Sequence, residues 1–380
     1  MRCFVIPRAL VADALTELEE ALPTPLPGET VPQALDRSLS SGPITDPERE
    51  IALGQKLAGS LFPYPLAVEL NALVERGIRS HVRIQPSPST ALVPWEGLRV
   101  DEGERFVHNS DVSLLPPSTI RNALQRHVAP WDPAGRVVCV LDPAVPGLGG
   151  ALGPVLGPIG SDSVLSRMMK DLEGRAVVAP SGSAATPLFQ RADITRRELE
   201  TMLIGASRLL YVGHVTTAEH SLDARMHLSC GPDTTGHAAL TGRHRPLTAA
   251  DLVYGHRLGS PQGWSMPNRV AIIGCESGGD IRFAEPAGLV SAAVYAGAQY
   301  VTAARWLLPT DIGIRTFAPH ADEHIRVLPD AVVAVNHAHE ADNPVATLNA
   351  WQRKQADQWE NTGKLEYSPV IWAALATTFA

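Results

Sequence analysis

The period of the apolar positions along this 380-residue chain changes near residue 136. Up to about 125, apolar side chains mostly recur every three or four residues, the spacing of a helix that buries one face. Val11 to Leu22, Pro47 to Leu61 and Pro65 to Arg76 follow it, whereas Pro23 to Thr45 reads as a Pro- and Ser-containing connector. His81 to Pro86 reads as a strand, and Ala91 to Leu98, ALVPWEGL, as a core segment without a definite period. From 136 onward, short continuous apolar runs alternate with helical spacing, the signature of a parallel sheet covered on both faces. The runs are Arg136 to Leu141, Ala176 to Ala179, Arg208 to His214, Arg269 to Gly274 and Tyr300 to Trp306, with Arg225 to Cys230 a further strand after a turn. Helices fit Ser161 to Leu172 (capped by Ser161 or Asp162), Thr195 to Ile204, Leu247 to Leu258 starting at Thr248, and Gly288 to Tyr295. Two more fit near Asp322 to Val327 and at Ala346 to Trp359, before a closing strand at Pro369 to Ala376. The expected fold is α/β, a mostly parallel sheet flanked by helices (126–380) behind an α-rich region (1–125).

Two of the apolar runs end in reactive side chains. RVAIIGCESGGD stops at Cys275, and RLLYVGHVTT stops at His214. The carboxyl edge of a parallel sheet is where crevices form, because the loops leaving the strands diverge there. An imidazole at that edge can take the proton of a neighbouring thiol and leave a nucleophilic thiolate. Glycines at 213, 278 and 279 let a carbonyl approach the backbone, so the amides of Cys275 and Val215 are candidates for an oxyanion hole. Taken singly, each residue also has a plain reading, a small buried cysteine and a satisfied histidine. Cys139 lies within a strand and reads as core, Cys3 is near a terminus, and Cys230 is the rival thiol. His337 and His339 in NHAHE point in different directions on a helix, which makes a solvated surface a better reading than a metal pair.

Composition narrows the chemistry further. The net charge is −8, the pI is near 5.9, and no long Lys/Arg run occurs, which argues against nucleic acid or an anionic membrane as partner. Four scattered cysteines with no CxxC pair exclude the usual zinc spacings, so no metal is expected. The first 22 residues are amphipathic with early acids, and no apolar run reaches the ~18 to 20 residues of a membrane span. A protein without signal peptide, in a reducing cytoplasm, is the expectation. PAVPGLGGALGPVLGPIG (143–160) follows a strand but lacks dinucleotide-loop spacing: Leu152 stands where a glycine is needed, and Pro154 and Pro158 would break the helix. It reads as a loop, which counts against a dehydrogenase and leaves no organic cofactor implied.

ALVPWEGL, LLYVGH, LTAADL, GCESGG, GLVSAAVYAGAQYVTAARWLLPTD and SPVIWAALA, in that order, resemble CHAT-domain peptidases, caspase-like (clan CD) cysteine peptidases, from about Ile51 to Ala380. The resemblance implies a caspase-like sheet, with His214 as the catalytic histidine and Cys275 as the nucleophile. Their 61-residue separation is comparable with the ~50 residues of caspase sequences. Two positions depart from the family: Val215 replaces the usual glycine after the histidine, and Gly274 replaces the alanine that often precedes the cysteine. The TPR repeats to which the domain is often fused are missing, so recruitment falls to a regulatory partner protein or to the amino-terminal region. In related folds the strand after the catalytic one pairs with an extended substrate, here Ala303 to Leu307, which makes Arg305 and Trp306 subsite candidates. An exposed Arg305 would favour an acidic side chain, and Glu276 or Asp280 a basic one; a structural ion pair or a solvated charge is the plain alternative for each. The implied activity is a cytoplasmic endopeptidase that cleaves a protein partner through an acyl-enzyme, in bacterial signalling or defence. The alternative is a catalytically silent scaffold with the same fold.

Overall fold

The computed structural model describes residues 6–101, 104–147, 152–178, 189, 191–217, 220–257, 263–275, 277–279 and 288–380. Eight of its strands form one sheet: β1 (Ser80–Ile84), β2 (Ser110–Leu114), β3 (Val137–Leu141), β4 (Ala176–Val178), β5 (Arg208–Val212), β9 (Arg269–Ile273), β10 (Tyr300–Ala304) and β11 (Leu375–Phe379). A small antiparallel sheet of β6 (Val215–Thr216), β7 (Arg225–Met226) and β8 (Leu247–Thr248) follows β5 in the chain. Across the large sheet the order is β1–β2–β11–β10–β9–β5–β3–β4, and every neighbouring pair is parallel except β10 with β11.

The unbroken apolar runs of β3, β5 and β9 follow from burial on both faces, since all five residues of each strand are buried. Alternate side chains enter different cores. Cys139, Leu210 and Ala271 join one core with Val332 and Val335, while Val138, Leu209 and Val270 join the other with Leu199 and Ala293. The first core runs from Val11 to Ala376. Because β1 and β2 also extend the main sheet, residues on either side of 125 share one sheet and one core.

Two buried arginines start adjacent strands in register, Arg208 on β5 and Arg269 on β9. Arg208 donates to the Asn336 carbonyl at 3.3 Å and side-chain oxygen at 3.0 Å, and Arg269 donates to the His339 carbonyl at 2.8 Å. These acceptors lie towards the carboxyl end of the helix Val327–Glu340, where the dipole favours a cation and the last four carbonyls, that of His339 included, lack helical partners.

Several local expectations need correction. The Pro23 to Thr45 connector contains the helix Val31–Ser40, started by a capping box of Thr30 and Gln33. The cap near 161 is Ser163, whose hydroxyl accepts from the Ser166 amide. No helix covers 322–326; helical structure begins at Val327. The closing stretch is a helical turn, Pro369–Trp372, followed by β11. His337 is exposed as expected, but His339 is buried and hydrogen-bonded to Thr302 at 2.7 Å. No single described helix is long and apolar enough to cross a membrane, although Pro47–Leu61 and Tyr64–Glu75, bent by 110°, jointly have the length and composition.

Candidate active site

Val212 and Ile273 are register partners at the ends of β5 and β9, and the Gly213 amide extends the ladder to the Ile273 carbonyl at 3.1 Å. Two residues beyond this register pair, one glycine further on each chain, stand His214 and Cys275. Both line a cavity of about 400 Å³ at this carboxyl edge. The structure thus brings together the two residues that the apolar runs singled out.

Between them the backbones are crowded. A Cβ on Gly274 would lie 2.6 Å from the Gly213 carbonyl oxygen and 2.8 Å from a Val215 methyl, closer than real contacts allow. The two departures from the family pattern meet here: the Gly213 carbonyl and the Val215 side chain both occupy space that an alanine at 274 would need.

The His214 backbone is fixed from behind. Its carbonyl accepts from the Tyr211 hydroxyl at 2.8 Å and from the His227 amide at 3.1 Å. The second bond makes Val215–Met226 the pair without ladder bonds in this antiparallel sheet, and it turns the Val215 N–H to the open edge of β6. The ring is fixed as well, since His214 Nε2 lies 2.6 Å from the Gly153 carbonyl oxygen. A carbonyl can only accept, so Nε2 carries a proton, and Nδ1 is the ring nitrogen left to exchange one.

Gly153 belongs to the stretch that spacing reads as an ordinary loop, and Asp142 holds that loop in place. The Asp142 carboxylate is buried and accepts from the Val155 amide at 3.1 Å and the Leu156 amide at 3.2 Å. Its backbone sits at φ 53°, the left-handed region that few side chains other than Asp and Asn adopt readily. The sequence signal for the loop's role is the acid itself, Asp142 directly after the apolar run 136–141.

Cys275 is half-buried, with Sγ 3.7 Å from the Leu308 carbonyl oxygen. The turn after it is stitched to the sheet by Ser277, whose hydroxyl donates to the Ile272 carbonyl at 2.6 Å and accepts from the Ala304 amide at 2.9 Å. Among the described cysteines it is the only one not fully buried. Burial pushes the Cys139 thiol up to about 12, and Cys230, the rival, accepts from the Arg196 amide inside the core. Among the described residues no cluster of three His, Cys, Asp or Glu side chains could hold a metal ion.

Behind the cavity runs a chain of buried rings that sequence reading missed. Thr216 Oγ1 meets His227 Nε2 at 2.9 Å, His227 Nδ1 meets His244 Nε2 at 3.2 Å, and His244 Nδ1 meets the Cys230 carbonyl at 2.8 Å. The final acceptor sets the direction: with both rings neutral, each proton points from Thr216 toward Cys230, leaving the Thr216 oxygen as an acceptor on the cavity side. Desolvation, with His244 and His214 adding to it, holds His227 down to about 3.

The remaining predicted site residues fall elsewhere. Arg305 and Trp306 are core residues, not subsite residues. The Arg305 guanidinium is 2.8 Å from Glu96 and donates to the Ala373 carbonyl, and the Trp306 ring nitrogen donates to the Val370 carbonyl. The backbone of 303–307 is also engaged, because β10 lies between β9 and β11, the Arg305 amide donates to the Ala374 carbonyl, and the Leu307 amide donates to Thr24 Oγ1. Glu276 and Asp280 lie outside the described residues.

Comparison with known proteins identifies a family for the chain. No curated protein matches the chain. Two crystal structures of the Saccharomyces cerevisiae separase–securin complex are similar at 12% identity, with TM-scores of 0.43 and 0.37. Each comparison covers 99% of this chain, which spans only 22% and 23% of the separase-complex chains matched. The CHAT domain family matches residues 52–380, from the helix Pro47–Leu61 through the His214 and Cys275 strands to the last residue, and the chain belongs to that family.

Proposed function

We propose that this protein is a cysteine endopeptidase that cleaves a protein partner with Cys275 as nucleophile and His214 as its proton carrier. The observation that carries the reading is their placement two residues past a register pair of adjacent parallel strands, lining one cavity. The His214 tautomer supports it, since a proton fixed on Nε2 by Gly153 leaves Nδ1 to receive the thiol proton. Sγ bonds to the scissile carbonyl carbon, the C–N bond breaks, and His214 passes the proton to the departing amine. Water then adds to the thioester, releasing the acid and restoring the thiol. The Cys275 and Val215 amides are the donors for the oxyanion, Val215 because its N–H faces the open edge of β6.

The test is cleavage of the natural substrate, found by comparing new protein termini in cells holding wild type with those holding Cys275→Ala. Cys275→Ala and His214→Ala are each expected to abolish cleavage, and cleavage surviving in either variant removes the dyad. Partner binding without any cleavage by the wild type would favour a signalling scaffold.

A further inference from the structure

Resting on the peptidase reading, we propose that the cavity beside Cys275 takes a branched or aromatic apolar side chain of the substrate, and that the helix Val31–Ser40 forms part of its wall. The described walls are apolar: Leu152 and Val155 from the loop over His214, Leu307 and Leu308 beyond β10, and Val31 and Leu35 from the helix. Their polar members are His214, Thr216, Thr217, Cys275 and Thr310, and no Asp, Glu, Lys or Arg lines the cavity among the described residues. A volume of about 400 Å³ is ample for a leucine or phenylalanine side chain. A charged side chain there would lose water without gaining a described counter-charge.

The amino-terminal wall is built into place. Arg37 binds Glu29 in a two-point contact at 2.8 and 2.9 Å and donates to the carbonyls of Leu22 and Thr24, which folds 22–29 back on the helix. Thr24 then accepts from the Leu307 amide at 3.3 Å, tying the segment to the cavity rim. Both Val31 and Leu35 precede residue 52, where the match to the family begins, so this part of the wall comes from outside the matched domain.

The experiment uses the full-length Cys275→Ala protein and fluorescent peptide pools, randomised except for Leu, Phe, Asp or Arg at one fixed position. Anisotropy should show the Leu and Phe pools binding at least about tenfold tighter than the Asp and Arg pools. Val31→Asp, at a site 45% exposed, should erase that preference while leaving the melting temperature unchanged. Equal or tighter binding of a charged pool, or no binding by the apolar pools at millimolar protein, overturns the apolar pocket. An unaltered preference in Val31→Asp removes the helix from it. Wild-type protein that binds the apolar pools selectively but cleaves none of them overturns the peptidase reading alone.

Discussion

A methyl group added at residue 274 has nowhere to go, with the Gly213 oxygen and the Val215 side chain both under 3 Å from its position. Gly274→Ala is therefore expected to cost about 1 to 3 kcal/mol of stability and to lower peptide cleavage. Val215→Gly is itself costly at a buried position, but the double variant should lose less than the sum of the two single losses, because the side-chain clash disappears and only the carbonyl clash remains. Strictly additive losses in melting temperature would show that the two positions are not matched. Asp142 offers a second test at this scale. Asp142→Gly suits the backbone at φ 53° but removes the carboxylate that holds Val155 and Leu156. The Gly153 carbonyl should then lose its fixed place, lowering kcat by up to about a hundredfold with little change in KM. A normal kcat with a raised KM would assign Asp142 to substrate binding instead.

At the scale of elements, buried ion pairs tie distant segments together. Arg305, just past β10, meets Glu96 of the turn Trp95–Gly97, with the two side chains 3% and 1% exposed. Arg305→Ala should destabilise the fold by about 3 to 5 kcal/mol in urea unfolding, since it strands a buried carboxylate. The double variant Arg305→Met with Glu96→Leu should regain most of that loss, and a double variant no better than the single one would refute a simple pair. This pair also marks the limit of what the sequence discloses. Strands ending at His214 and Cys275 are legible because an apolar run and its polar end are local features. The partner of Arg305 is 209 residues away and that of His214 is 61 away, distances that no local period spans. The helix Val31–Ser40 was hidden differently: its Thr30/Gln33 capping box was present, but the surrounding prolines and serines read as a connector.

For the whole molecule, acid is the telling perturbation. Burial holds His227 and His339 down to about 3 from an ordinary 6.5, so both rings are neutral in the folded state. Above 6.5 neither the folded nor the unfolded chain protonates them, and stability does not depend on them. Between 6.5 and about 3 the unfolded chain gains protons that the fold excludes. Stability should then drop by up to about 1.4 kcal/mol per pH unit for each ring. Urea midpoints at pH 7.5, 6 and 5 should fall in that order, and His339→Gln should flatten the trend; an equal slope in that variant would place the acid sensitivity elsewhere.

The position of β11 has a consequence for time as well as for space. β1 and β2 leave a ribosome well before β11, yet among the described residues their link to the other strands of the sheet is β11, whose Thr378 pairs with Leu114 and whose other edge pairs with β10. During synthesis the pair β1–β2 and the block β10–β9–β5–β3–β4 are two pieces with no shared ladder. They become one sheet only once residues 375–379 pair with both, so among these eight strands the last to be made is the one that joins the two pieces.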